Sequence, residues 1–372
     1  MNLKNVRIGL ALSGGGIRAA IFHLGVLQYL AEARLLNQVA SISSVSGASL
    51  CIGAIFAANN NKWPSDEEYL ETVQHSVRGI ILNNDIQRSA LRKLPFSPSY
   101  WLNRVGLLAK MLEDKWGIKG TLQDLPSFPY WEINCTSFET GNRFRFRRDY
   151  MGDYLIGYAQ KPQLPISHMI AASAGFPVLI GPYILNTEGI RWTYDKWGRG
   201  REAPVEERLS LWDGGVYDNL GLEALYKIGY GLDEEIDFLI ISNASSAISF
   251  KRRKRHFSAA NLARLLDIAV AQTIVLRSRE VNARIIAGGE GMYIRIGHST
   301  NTIANRAGIR AEEARAIVKS SLSPDDAIRA GEYTTTLKTP PAEDYELIFR
   351  HGYENAKATY IFTGMTREVS FV

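Results

Sequence analysis

The sequence predicts an α/β protein: a central, mostly parallel sheet covered by helices on both faces. Three observations carry this expectation. Strand-like apolar stretches at Val6–Leu12, Val39–Val45 and Phe238–Ser242 alternate with helix-like stretches at Ile17–Glu32 and Leu50–Ala58, a pattern that favours parallel strands joined by crossover helices. Each of the first two strands runs straight into a turn of small residues, Ser13-Gly14-Gly15-Gly16 and Ser43-Ser44-Val45-Ser46-Gly47. No internal repeat or long linker interrupts the chain, so residues 1–372 read as one domain.

Taken in order, Val6–Leu12 is the first strand, and the helix after it carries Ile21, Leu24, Leu27, Tyr29 and Leu30 at helical spacing. The second strand ends at Val45, and Leu50–Ala58 follows as an apolar helix. Residues 63–125 are expected to be an inserted helical region and a candidate lid, broken at Pro64, Pro95 and Pro98. Glu132–Ser137 and Arg143–Arg147, joined by Glu139-Thr140-Gly141-Asn142, predict a hairpin. Leu209–Trp212 and Phe238–Ser242 predict short buried strands, with a helix over Leu220–Ile228 between them. Residues 251–372 are expected to form a helical C-terminal extension packed on the same domain.

Composition narrows the classes of function. With 372 residues, 46% of them hydrophobic and 22% charged, the chain can bury a large core and is not disordered. A net charge of +5 suits an anionic surface but names no partner. Cys51 and Cys135, the two cysteines, are too few for a disulfide framework or a cysteine-built zinc site, which favours a reducing compartment. No ligand spacing for a metal and no calcium loop is visible, so no metal and no cofactor is expected. The N-terminal residues lack a signal-peptide pattern, and the longest apolar runs fall short of the roughly 18 residues of a membrane span. These features predict a cytoplasmic location, with peripheral contact at a membrane surface as a further expectation.

The turn at Ser46 sits where a sharp strand-to-helix elbow would lift a hydroxyl clear of the sheet, and its neighbours Ser44 and Ala48 are small enough for such an elbow. Taken alone it is equally an ordinary small-residue turn. The run Gly14-Gly15-Gly16 at a helix N-terminus offers backbone N–H groups to negative charge. Dinucleotide binding is disfavoured, because the second strand ends in Ser44-Val45-Ser46 where the ribose-binding acid would stand. A P-loop is excluded by the absence of Gly-Lys-Ser/Thr. Acyl transfer needs a nucleophile, a base and preorganised donors. Asp213, in Trp212-Asp213-Gly214-Gly215 after a short strand, is the candidate base; its plainer reading is an Asp-Gly-Gly surface turn.

Together these elements resemble the patatin-like phospholipases. The chain shows Gly14-Gly15-Gly16-Ile17-Arg18, then Ser44-Val45-Ser46-Gly47-Ala48, then Asp213-Gly214-Gly215, in that family's order. Asn134-Cys135-Thr136-Ser137-Phe138-Glu139-Thr140-Gly141 resembles its mid-chain hairpin, and Ala171-Ala172-Ser173-Ala174-Gly175-Phe176-Pro177 its Ala/Ser-rich stretch. The likeness covers residues 6–60 and 130–245 well and the rest loosely. Ser44 and Ala48 depart from it, standing where the family's elbow has glycine.

The resemblance implies a patatin-like fold and a lipid acyl hydrolase working through a catalytic dyad, Ser46 and Asp213. Gly14, Gly15, Gly16, Arg18 and Gly47 would form the oxyanion hole and substrate-binding set, supported by Gly214 and Gly215. Arg18 would steady a phosphate or fix the loop, against a plain surface position. The expected partner is a lipid or acyl-ester substrate, with no nucleic acid. Two alternatives stay open: a catalytically weak lipid-binding protein of the same fold, and an α/β-hydrolase triad of Ser46, Asp213 and either His298 or His351. His23 and His168 are expected to be packed or capping residues. Lys251-Arg252-Arg253-Lys254-Arg255-His256 is a solvated loop or a dock for anionic headgroups. Ser99–Leu108 is core, an interfacial helix or part of a lid.

Overall fold

The computed structural model describes residues 5–177, 180–247, 259–318 and 321–369. Along the chain run strands β1 (Ile8–Leu12), β2 (Val39–Val45), β3 (Tyr130–Ser137), β4 (Arg143–Phe146), β5 (Tyr150–Asp153), β6 (Gly157–Gln160) and β7 (Tyr183–Asn186). They are followed by β8 (Trp192–Thr193), β9 (Arg208–Asp213), β10 (Tyr226–Lys227), β11 (Gly231–Leu232), β12 (Phe238–Asn243) and β13 (Gly291–Arg295). All but β10 and β11 belong to one sheet, ordered β13-β12-β1-β2-β3-β4-β5-β6-β8, with β9 and β7 attached at β3. The centre, β13 through β3, is parallel; every pairing beyond β3 is antiparallel.

Parallel strands are covered on both faces, and alternate side chains here enter separate cores. Ile8, Leu10, Leu12 and Ile240 join the main cluster, whereas Ala11, Leu239 and Ile241 pack on the other side against Leu220, Leu225, Val281 and Ile285. On the main side lie helices α1 (Gly16–Glu32) and α2 (Gly47–Ala58). The C-terminal helix Ala342–Val369 crosses α1 so closely that a Cβ on Gly25 would sit 2.0 Å from the Phe349 carbonyl oxygen. That crossing explains why α1 is buried along nearly its whole length, Gln28 and Glu32 excepted.

The expected strands and the 132–147 hairpin are all present, with ends shifted by a few residues. Two expectations are corrected. Leu220–Ile228 is not a helix: Gly221 has φ +66°, the Asp218 carboxylate accepts the Leu220 and Glu223 N–H groups, and the chain turns into the β10–β11 hairpin. The C-terminal region is not purely helical, because it supplies β13, which pairs with β12 at the sheet edge. The 63–125 region is helical and anchored: Tyr69, Val73, Val77, Leu107, Leu112 and Trp116 enter the main core, and Tyr69 Oη donates to the Leu24 carbonyl at 2.8 Å. Ser99–Leu108 divides, with Trp101 and Leu102 exposed and Val105, Leu107 and Leu108 buried. The Lys251–His256 run lies outside the described residues.

Candidate active site

One edge of β3 brings the two halves of the site together. β2 pairs with it from Ser41 opposite Tyr130 to Val45 opposite Asn134, and β9 takes over at the next residue, with Asp213 opposite Cys135. The other edge is occupied by β4. Residues on one strand advance about 3.3 Å each, so the end of β2 and the end of β9 are forced into adjacency. Ser46, the first residue beyond β2, takes φ 53° and ψ −114°, a conformation that non-glycine residues rarely hold and that costs about 1–3 kcal/mol. It is the sharp bend of an elbow. Half-buried, its hydroxyl lies near enough to the Asp213 carboxylate to favour the charged form of that group.

Asp213 is buried, and its Oδ1 also accepts the Gly215 N–H at 2.7 Å. Its carbonyl takes the Thr136 Oγ1 proton at 2.9 Å, and its N–H donates to the Gly175 carbonyl at 3.2 Å. Burial pushes the carboxyl up to about 6, although the Gly215 N–H and the nearby Ser46 hydroxyl pull the other way. A carboxylate so placed is a stronger proton acceptor than one in water, yet still ionised at neutral pH. Gly214 lies flat on β3, where a Cβ would approach the Asn134 carbonyl oxygen to 2.4 Å.

The elbow is held from within by a chain of hydroxyls. Trp131 Nε1 donates to Ser44 Oγ at 2.9 Å, Ser44 and Ser49 are 2.9 Å apart, Ser49 and Ser173 are 2.9 Å apart, and Ser173 Oγ donates to the Asn134 carbonyl at 2.8 Å. A carbonyl only accepts, so the three hydroxyl protons can all be placed in one way: Ser44 to Ser49, Ser49 to Ser173, Ser173 to Asn134. Ser173 Oγ keeps a lone pair for the Ser46 N–H, which donates to it at 3.0 Å. Ser44, one of the two departures from glycine, is therefore an integral member of the brace. None of Ser49, Ser173 or Trp131 was marked as functional in the sequence; only the Ala171–Pro177 stretch pointed toward Ser173.

Gly15 and Gly16 have φ +149° and +63°, and α2 begins against them: a Cβ on Gly47 would lie 2.1 Å from the Gly16 carbonyl oxygen. Gly14 departs from its expected part in the oxyanion hole, because its N–H donates to the Asn219 carbonyl at 3.0 Å. The Ile17 N–H donates to the Thr336 carbonyl at 2.8 Å, whereas the Gly15 and Gly16 amides have no partner among the described residues. Of the roles expected for Arg18, the structure favours fixing the loop over a substrate contact or a surface position. Arg18 is buried, donates from Nε at 3.2 Å and Nη2 at 3.1 Å to the Ala244 carbonyl, and from Nη1 to the Tyr333 carbonyl. It fixes the loop from beneath.

His23, His168, His298 and His351 each have a structural partner. His23 Nε2 donates to the Ser13 carbonyl at 2.9 Å, Nδ1 is 2.8 Å from Ser242 Oγ, and burial lowers the ring to about 4, so it stays neutral. His168 packs edge-on against Tyr183. His351 Nε2 accepts the Gly297 N–H at 2.8 Å, and His298 Nδ1 faces Arg306. The hydrogen-bond partners of His351 and His298 are thus Gly297 and Arg306, not Asp213, which disfavours a histidine triad.

The family model for patatin-like phospholipases matches residues 10–226, and the chain belongs to that family. No sequence among curated proteins matches it. Among solved structures, human GIVD cytosolic phospholipase A2 is similar with a TM-score of 0.55 at 14% identity, covering 97% of this chain and 60% of that one. VipD from Legionella pneumophila is similar with a TM-score of 0.42 at 15% identity, covering 97% of this chain and 67% of that one. The chain thus spans about three fifths of the length of the human enzyme. The first likeness shows the α/β fold.

Proposed function

We propose that the protein is a lipid acyl hydrolase of the phospholipase or esterase type, with Ser46 as nucleophile and Asp213 as base. The meeting of the ends of β2 and β9 on one edge of β3, which sets the Ser46 hydroxyl beside the Asp213 carboxylate, carries the reading. Family membership supports lipid as the substrate class.

The residues suffice for the chemistry. Asp213 takes the Ser46 hydroxyl proton as Oγ attacks the ester carbonyl, and the carbonyl oxygen becomes an oxyanion facing the Gly15 and Gly16 amides and the Gly47 amide at the start of α2. Each such donor contributes on the order of 10²–10³ in rate. Asp213 then protonates the departing alcohol, leaving acyl-Ser46. Water gives its proton to Asp213 as it attacks the acyl carbonyl, and the second collapse returns the proton to Ser46 and releases the fatty acid. The brace through Ser173 holds the strained elbow, so that the hydroxyl need not reorganise between steps.

A fluorophosphonate probe tests the assignment. Labelling of the wild-type chain that disappears in Ser46→Ala supports it; label retained in Ser46→Ala, or an unlabelled wild type that also fails to hydrolyse lipid and soluble esters, refutes it.

A further inference from the structure

The exposed segment 91–102 has no role in the site, yet it is built for an interface. Leu91 is 60%, Phe96 86%, Trp101 57% and Leu102 102% exposed, whereas monomers rarely keep large apolar side chains together in water. The segment is ordered by its own turns: Trp101 Nε1 donates to the Leu94 carbonyl at 2.9 Å, and Ser97 N–H donates to the same carbonyl at 3.2 Å. Its charge is one-sided. Between residues 86 and 104 stand Arg88, Arg92, Lys93 and Arg104 and not one Asp or Glu; at the margins, Asp85 caps the helix Ile86–Lys93, and Asp114 pairs with Lys110 at 2.7 Å and with Lys93 at 3.9 Å.

The segment also adjoins the site. Gln87, one helical turn before Leu91 and on the same face, accepts from Thr336 Oγ1 at 2.7 Å and from the Leu337 N–H at 2.9 Å. The Thr336 carbonyl in turn holds the Ile17 N–H at the mouth of α1. Among the described residues no helix is long and apolar enough to cross a membrane.

We infer that residues 91–102, with Arg88, Arg92 and Lys93, dock the protein on an anionic lipid surface beside the Ser46 site. The inference rests on the reading that the substrate is a lipid. Aromatic and aliphatic side chains enter the headgroup boundary while the basic ring meets anionic headgroups. An acidic protein partner would satisfy the charge, but it would not call for Phe96 and Leu102 standing exposed beside cations in one segment next to an ester-cleaving site.

The test uses the full chain carrying Ser46→Ala, so that binding is read without turnover, in co-sedimentation with vesicles of phosphatidylcholine alone or mixed with phosphatidylserine. Binding should be tighter with phosphatidylserine and weaken in high salt. Adding Phe96→Ser, Trp101→Ser and Leu102→Ser together should weaken it at least on the order of 100-fold on both vesicles. Adding Arg88→Gln, Arg92→Gln and Lys93→Gln should erase on the order of 100-fold of the phosphatidylserine preference. In chains that keep Ser46, both sets should hydrolyse a soluble short-chain ester at the wild-type rate, which shows that they fold. The inference is overturned if the parent ignores vesicles, if either set binds as the parent does, or if the serine set instead dissolves a dimer seen by sedimentation. Loss of the catalytic reading would show separately, as hydrolysis surviving Ser46→Ala.

Discussion

Two neighbouring strand-to-helix turns do different work and are held by different means. The turn from β1 to α1 presents amides; the turn from β2 to α2 presents a hydroxyl. The first is secured by residues far along the sequence: Asn219 accepts the Gly14 N–H, Thr336 accepts the Ile17 N–H, and Arg18 grips the Ala244 and Tyr333 carbonyls. The second is secured from inside by Ser44, Ser49 and Ser173. An amide donor needs only backbone freedom and a clamp, so glycine and outside contacts suffice. A hydroxyl on a residue at φ 53° must keep its side chain in a disfavoured bend, and that takes fixed hydrogen bonds beneath it.

The largest break falls on the hydroxyl side: Ser46→Ala should lower hydrolysis on the order of 10⁴–10⁶-fold with the fold intact by circular dichroism. Gly47→Ala strikes where the turns touch. Its Cβ would collide with the Gly16 backbone, so kcat should fall on the order of 10²–10³-fold through the displaced amides, with fluorophosphonate labelling slowed in proportion. Ser173→Ala sharpens the contrast by leaving the Ser46 N–H and the Ser49 hydroxyl without an acceptor. We expect a loss of about 1–3 kcal/mol in thermal unfolding and roughly tenfold in kcat, with KM unchanged. Smallest of all, His298→Asn and His351→Asn should hydrolyse soluble ester at nearly the wild-type rate, against a collapse of about 10³-fold or more if either were a triad base.

Much of this arrangement is legible in the chain because its determinants are local. β2 reads correctly from Val39 to Val45, and the glycine run and Asp-Gly-Gly mark two of the turns. What escapes depends on distance. Ser173 meets Ser46 across 127 positions, and no spacing rule links them. Arg18 looks like a first-turn surface residue until the segment around Tyr333 closes over it. Leu222 and Leu225 stand three apart as in a helix and are buried, but the Asp218 carboxylate and the left-handed Gly221 turn the chain away. β13 was hidden in a stretch read as helical, since an edge strand becomes one only when β12 lies alongside.

The central claim is that the Asp213 carboxylate takes the Ser46 proton, and the pH dependence of fluorophosphonate labelling tests it most directly. Burial raises Asp213 to about 6, and only the ionised form can accept a proton. The wild-type labelling rate should therefore climb about tenfold per pH unit up to pH 6 and level off above it, while Asp213→Asn should lose at least on the order of 10³-fold at pH 8 and show no inflection near 6. Labelling of Asp213→Asn at the wild-type rate, or with the inflection unmoved, would contradict the account.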